Sequence, residues 1–185
     1  MAANLESKIP CSNHEAIAQR AVAAGAVHAG VLTQTDTYFA VSERRLKLRE
    51  LSEGAPDGAS SAAAELIEYD RPHLAGARVS TYTREPVDDP VARAAALAAE
   101  HGLRGVVRKR RDLWLIDRTR IHLDRVIGLG EFVELETVID GEVGPADRAQ
   151  HEAVAAALGL DLTASTASSY IDLVEAAGAF RDQPA

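Results

Sequence analysis

Five consecutive residues, Arg45-Leu46-Lys47-Leu48-Arg49, alternate cation and leucine without a break. A period of two sends successive side chains to opposite faces of a strand, so three cations share one face and two leucines the other. If the leucines meet a hydrophobic layer, the cations must meet something that accepts their charge. The pattern recurs along the chain. Asn4, Glu6 and Lys8 project together opposite Leu5 and Ile9; Arg118, Arg120, His122 and Asp124 align; Glu134 and Glu136 stand together in front of Val133 and Leu135; Tyr69 and Arg71 share strand spacing.

Alternation of this kind marks about eight strands, at 4–10, 30–41, 45–50, 64–71, 78–84, 105–115, 118–126 and 132–139. Four segments carry helix punctuation instead. The first follows Ser12, whose hydroxyl and Glu15 make a capping box, with Gly25 as the stop. The second starts at Asp89 and Pro90 and ends near Gly102, the third runs from Pro145 to about Gly159, and a last helix covers 170–177. The Gly, Ala and Ser-rich stretch 52–61 reads as a flexible connection, and Gly128-x-Gly130, with neither a third glycine nor a following helix, as a turn between strands. The fold class is therefore α+β with a mainly antiparallel sheet.

An antiparallel sheet with one face in water accounts for any one of these strands. The set is harder to explain that way, because one strand is wholly basic, another ends in two glutamates, and helices exist to cover the apolar face. An antiparallel barrel with helices packed outside and charge inside accommodates all of it. Desolvation makes such an interior costly unless the cations face a multiply charged anion and the carboxylates hold a divalent metal. The implied guest is a polyphosphate with magnesium or manganese, since Arg and Lys bind phosphate oxygens by charge-assisted hydrogen bonds and hard dications bridge carboxylate and phosphate.

Composition narrows the classes further. With 185 residues, 46% of them hydrophobic, the chain can bury one sizeable core, expected as a single domain over 1–178 with a tail at 179–185. Its net charge of −8 argues against a general nucleic-acid binder. Cys11 is the single cysteine, which excludes a disulfide framework and any multi-cysteine zinc site. No stretch approaches a membrane-spanning apolar run and the start lacks a basic, then apolar, secretory pattern, so the expectation is a cytoplasmic protein with no membrane partner.

The same residues resemble the CYTH superfamily, the triphosphate tunnel metalloenzymes, and most nearly its class IV adenylyl cyclase branch, over almost the whole chain. Asn4-Leu5-Glu6-Ser7-Lys8 matches the family's Glu-x-Glu-x-Lys strand with the first position changed. Similar in order and spacing are Gln34-Thr35-Asp36-Thr37-Tyr38-Phe39, Arg45-Leu46-Lys47-Leu48-Arg49-Glu50, Leu66-Ile67-Glu68-Tyr69-Asp70-Arg71-Pro72, and Val107-Arg108-Lys109-Arg110-Arg111 ahead of Trp114. The fullest match is Ile121-His122-Leu123-Asp124-Arg125-Val126 followed by Gly128-Leu129-Gly130-Glu131-Phe132-Val133-Glu134-Leu135-Glu136, and Ser169-Tyr170-Ile171-Asp172-Leu173 extends the likeness to the last helix.

The resemblance implies an eight-stranded antiparallel tunnel that holds a triphosphate and one or two metal ions, and it is compatible with a homodimer. By position, Glu6, Glu134 and Glu136 look like metal ligands, while Asp124 lies close to the metal or the reacting hydroxyl and, with Lys8, is assigned to catalysis. Lys8, Arg45, Lys47, Arg49, Arg71, Lys109 and Arg111 look like triphosphate contacts, with Arg84, Arg118 and Arg120 as second-rank candidates. Strand parity alone permits either alternate pair of Arg108-Lys109-Arg110-Arg111; the family's Lys-x-Arg spacing selects Lys109 and Arg111.

Two chemistries share that tunnel. In a cyclase the 3′ oxygen of ATP attacks the α-phosphorus and pyrophosphate leaves; in a triphosphatase, of inorganic triphosphate, thiamine triphosphate or a nucleoside triphosphate, water attacks the terminal phosphorus. Asn4 departs from the pattern by removing one negative charge, which leaves open altered chemistry or a sensor that binds a nucleotide or polyphosphate without turnover. His122 is either a general base or, more commonly for a barrel strand, a hydrogen-bonding residue. The cyclase is the expectation, with magnesium or manganese as cofactor and ATP as substrate.

Overall fold

The computed structural model describes residues 2–42, 44–54, 60–70 and 78–178. The alternating segments form β1 (Ala2–Pro10), β2 (Val27–Phe39), β3 (Arg45–Gly54), β4 (Ser60–Asp70), β5 (Arg78–Pro86), β6 (Leu103–Ile116), β7 (Thr119–Val126) and β8 (Gly130–Ile139). They close into a barrel in the order β1-β5-β4-β3-β2-β6-β7-β8, with β8 returning to β1 and every pairing antiparallel. Closure leaves no sheet edge, and it turns one face of every strand toward a common interior.

Most strands begin or end further out than the alternation alone indicates, because backbone pairing continues past the last buried side chain, whereas β2 stops at Phe39, short of the expected 41, and β7 starts at Thr119 rather than Arg118. Strands β3 and β4 take up half of the expected connection at 52–61; residues 55–59 of it, and Arg71, lie outside the described residues. Between β7 and β8, Gly128 and Gly130 adopt φ of 79° and 98°, values that side-chain-bearing residues rarely take, as the reading of a strand turn requires.

Among the described residues four α-helices lie outside the barrel: α1 (His14–Ala23), α2 (Pro90–His101), α3 (Pro145–Leu158) and α4 (Tyr170–Ala176). The first differs from expectation at its cap. Asn13, not Ser12, precedes the first helical residue, and its Oδ1 accepts from the Ala16 amide at 3.0 Å. Helices α1 and α3 bury Ile17, Ala21, Val154, Ala155 and Leu158 against Ile121, Leu123, Val133 and Leu135, the outward residues of β7 and β8. Helix α2 packs Leu97 on Phe39, Leu48 and Leu66. Thus Leu48, between the cations of β3, does face a helix.

Helix α4 sits differently, across one end of the barrel. Its Ile171 and Val174 are fully buried, and with Tyr170 they join Tyr38, Ile67, Tyr69, Val107, Val126 and Phe132 in one apolar plug.

A polar chain ties α3 to the barrel wall. The His151 ring is fully buried and meets Ser7 Oγ at 2.8 Å through Nε2 and Thr137 Oγ1 at 2.9 Å through Nδ1, and Thr137 in turn meets Thr119 Oγ1 at 2.9 Å. Burial pushes this imidazole down to about 4. Between about pH 6.5, the ordinary imidazole value, and about pH 4, the unfolded chain binds a proton that the folded chain does not. Stability should therefore decrease as the pH is lowered across that window, by up to about 1.4 kcal/mol per unit from this group. Urea unfolding of the wild type and His151→Gln across the window checks this: the variant should lose that part of the slope, and equal slopes would mean that His151 ionises freely in the folded state.

Candidate active site

A cavity of about 230 Å3 runs down the barrel from the mouth opposite α4. Register arranges its charged lining in levels. Nearest α4 stand Lys8, Lys47 and Lys109: Lys8 Nζ lies 3.9 Å from the Tyr170 ring centre, Lys109 Nζ 4.8 Å from it, and Lys47 Nζ 5.5 Å from both Tyr38 and Tyr69. Stacked cations on aromatic faces are stabilised by the ring quadrupoles. Two residues further along each strand come Glu6, Arg49 and Arg111, and toward the mouth Asn4, Glu136, His122 and Arg120. Leu32, Leu51 and Leu113 line part of the wall there, and Arg84 pairs with Glu65 at 3.9 Å, more weakly and with more exposure.

The basic wall contains an acid that strand parity could have flagged, since Gln34, Asp36 and Tyr38 share the inward face of β2. Asp36 accepts from Arg49 Nε at 2.7 Å and Nη2 at 3.0 Å and from Lys47 Nζ at 3.0 Å. Burial alone would raise its pKa, but the Arg49 and Lys47 charges overcome this and hold the carboxyl well below the usual range. Burial and then Arg49 bring Lys47 down to about 7, with Asp36 opposing them. Lys109 is lowered too, by burial and then by Arg111. These lysines are crowded by like charge, an arrangement that a polyanion relieves. Gln34, almost fully buried, lines the cavity, and its Oε1 has no hydrogen-bond partner among the described residues.

Arg111 is the hub of the interior. Its Nε and Nη2 donate to the two oxygens of Asp124, each at 2.6 Å, and Nη2 also reaches Glu134 Oε2 at 2.8 Å. The Tyr170 hydroxyl donates to Asp124 Oδ2 at 2.9 Å, and burial, then the Asp124 charge, keeps that phenol protonated. Burial would raise Asp124, yet Arg111 and Lys109 hold it below the normal range; Glu134 is held low in the same way, chiefly by Lys8.

On the opposite wall His122, Glu134 and Glu136 bring one nitrogen and two carboxylate oxygens within 4.8 Å of one another. His122 Nδ1 lies 3.6 Å from Glu134 Oε2 and 3.8 Å from Glu136 Oε1, and among the described residues it has no hydrogen-bond partner. An orphaned imidazole nitrogen beside two carboxylates is a donor set that fits a divalent metal ion. Asn4 and Glu136 are linked by Arg120, whose Nη2 donates to Asn4 Oδ1 at 3.1 Å and pairs with Glu136 Oε2 at 3.0 Å.

The structure thus gathers Asn4, Glu6, Lys8, Lys47, Arg49, Arg84, Lys109, Arg111, Arg120, His122, Glu134 and Glu136 around one cavity. Lys109 and Arg111 turn inward and Arg110 outward. Three expectations change. Arg45 does not line the cavity; its Nη2 bonds Asp172 Oδ2 of α4 at 2.8 Å, because that end of β3 lies beside the plug. Asp124 has no exposed surface and stands behind Arg111, outside the His122, Glu134 and Glu136 group. Arg118 pairs with Asp147 of α3 at 2.8 Å, outside the barrel. Asp36, Gln34 and Tyr170 were not among the expected site residues; the first two were readable from parity, whereas nothing near Tyr170 in sequence shows that α4 closes the barrel.

Comparison with known proteins gives a consistent picture. The model of the CYTH domain family matches residues 2–170. Among solved structures, the PH1012 protein of Pyrococcus horikoshii OT3 is similar at 22% identity and a TM-score of 0.76, over 92% of this chain and 98% of that one. A candidate adenylate cyclase from Vibrio parahaemolyticus is similar at 16% identity and a TM-score of 0.71, over 93% and 97% of the two chains. A candidate adenylyl cyclase from Hippeastrum with a dominant triphosphatase activity is similar at 15% identity and a TM-score of 0.63, over 96% of each chain. At these identities the likeness is one of fold. No curated protein matches the chain.

Proposed function

The chain belongs to the CYTH domain family, and from that premise we propose that its tunnel binds the triphosphate group of ATP with a divalent cation and forms cyclic AMP and pyrophosphate. The observation that carries this reading is the order of charge along the tunnel. Lysines 8, 47 and 109 stand at the closed end beside Tyr170, Tyr38 and Tyr69, Glu134 pairs with Lys8 and lies 3.5 Å from its Nζ, and Glu136 stands two residues further along β8 toward the mouth. A triphosphate entering phosphate-first sets its terminal groups among the lysines and its α-phosphorus beside Glu136.

In the reaction the ribose 3′ hydroxyl gives up its proton to water at the tunnel mouth as its oxygen attacks the α-phosphorus, the bond to the bridging oxygen breaks, and pyrophosphate departs with the electron pair. Lys8, Lys47 and Lys109 neutralise the charge that grows on the leaving pyrophosphate, and Arg49, fixed by Asp36, positions it. Asp124 fixes the Arg111 guanidinium in place by accepting from its Nε and Nη2. A dication held by Glu134 and Glu136 would polarise the phosphoryl oxygens as a Lewis acid. The plug of α4 keeps bulk water from the phosphate end.

Hydrolysis at the terminal phosphorus is the second reading, supported by the triphosphatase activity of the Hippeastrum protein. Phosphorus NMR of the protein with ATP, and separately with inorganic triphosphate, in magnesium or manganese distinguishes the two. Pyrophosphate and a cyclic monophosphate are the expected products from ATP. Orthophosphate from either substrate would replace the cyclase with a triphosphatase. Bound but unchanged nucleotide would leave a sensor.

A further inference from the structure

Resting on the reading of a divalent-metal site, we infer that the tunnel holds a single ion on the β7–β8 wall and that His122 is its third protein ligand through Nδ1. Two observations carry this. On β1, Asn4 offers only a neutral oxygen and the Glu6 carboxylate, although it lines the cavity and pairs in register with Glu136, is not in the group of His122, Glu134 and Glu136, while the Arg120 guanidinium stands between Asn4 and Glu136, at 3.1 and 3.0 Å. A cation fixed there repels a metal ion from the β1 side of Glu136. On the other side, His122 is 97% buried and its Nδ1 is unpartnered among the described residues, beside Glu134 and Glu136 at 3.6 and 3.8 Å.

The donor set of one imidazole nitrogen and two carboxylates has a chemical consequence. Magnesium prefers all-oxygen ligation, whereas imidazole is a good ligand for first-row transition dications. This tunnel therefore selects a transition metal over magnesium, with the nitrogen of His122 replacing the carboxylate lost at Asn4.

The probe is manganese alone, with no nucleotide. Wild-type protein should bind one Mn2+ per chain, read as loss of the free-ion electron paramagnetic resonance signal. The bound ion should show nitrogen-14 modulation in its electron spin echo, replaced by the nitrogen-15 pattern when histidine is labelled. Magnesium should displace it only at roughly 100-fold excess or more, while zinc or cobalt should displace it readily. His122→Gln should abolish the nitrogen modulation and weaken manganese binding about 10- to 100-fold. Manganese bound without nitrogen modulation in labelled wild type, a result that does not depend on any variant's folding, would overturn the His122 assignment and leave the carboxylate site standing. No manganese binding by the wild type, or binding unchanged in Glu134→Gln with Glu136→Gln, would overturn the metal site itself.

Discussion

Arg111→Met is expected to lower the unfolding free energy by about 3–5 kcal/mol, the cost of leaving a buried charge without its partner. Asp124 is fully buried, accepts both of its shortest bonds from Arg111, and lies 3.5 Å from Lys109. Methionine preserves much of the volume and none of the charge, so the loss is electrostatic rather than a cavity effect. The double variant Arg111→Met with Asp124→Leu should be less destabilised than Arg111→Met alone, because the carboxylate that depended most on Arg111 is gone and Glu134 keeps Lys8 at 3.5 Å. Urea unfolding of the three proteins decides it. Equal stability of wild type and Arg111→Met would mean that Asp124 finds another counter-charge.

Lys109→Met should do the opposite to stability and a great deal to binding. Lys109 is almost fully buried, close to Arg111, and its pKa is lowered by burial and by that guanidinium. In a group so placed the charged form is disfavoured by the fold, so below its folded pKa its removal relieves repulsion and the variant should be at least as stable as wild type. Affinity for tripolyphosphate should drop about 10- to 100-fold, the worth of one hydrogen bond to a charged group inside a dry site. Stability given up to hold a ligand is the signature of a functional residue rather than a structural one. Unfolding and calorimetric titration of the same preparation read both effects. A destabilised variant with unchanged affinity would make Lys109 a structural residue.

The barrel was legible because its alternation is unusually pure. Leu46 and Leu48 face outward while Lys47 and Arg49 face in, and Leu5, Ser7 and Ile9 back Asn4, Glu6 and Lys8, so a period of two fixed each strand's inner face. Parity left either alternate pair of Arg108-Lys109-Arg110-Arg111 open, and the family's Lys-x-Arg spacing was needed to select Lys109 and Arg111. Nor could parity find partners distant in sequence. Arg45 has the parity of a lumen residue, yet the bond it makes is with Asp172, 127 residues away, on the helix that plugs the barrel. Asp124 shares a strand face with His122, but whether an inward carboxylate meets solvent or stands behind an arginine depends on Arg111, which belongs to the neighbouring strand β6. At the start of α1 the cap is Asn13, one residue past the expected Ser12, and helix boundaries are seldom that sharp in sequence.

The claim beneath all of this is that the crowded lysines and arginines of the tunnel exist to meet a chain of phosphates. Isothermal calorimetry of the wild-type protein with inorganic tripolyphosphate, without and then with manganese, tests it most directly. The account predicts one site per chain, weakened by added salt, tighter than for orthophosphate, and tighter again when manganese is present. No saturable binding in either condition, or binding as strong to orthophosphate as to tripolyphosphate, would contradict it.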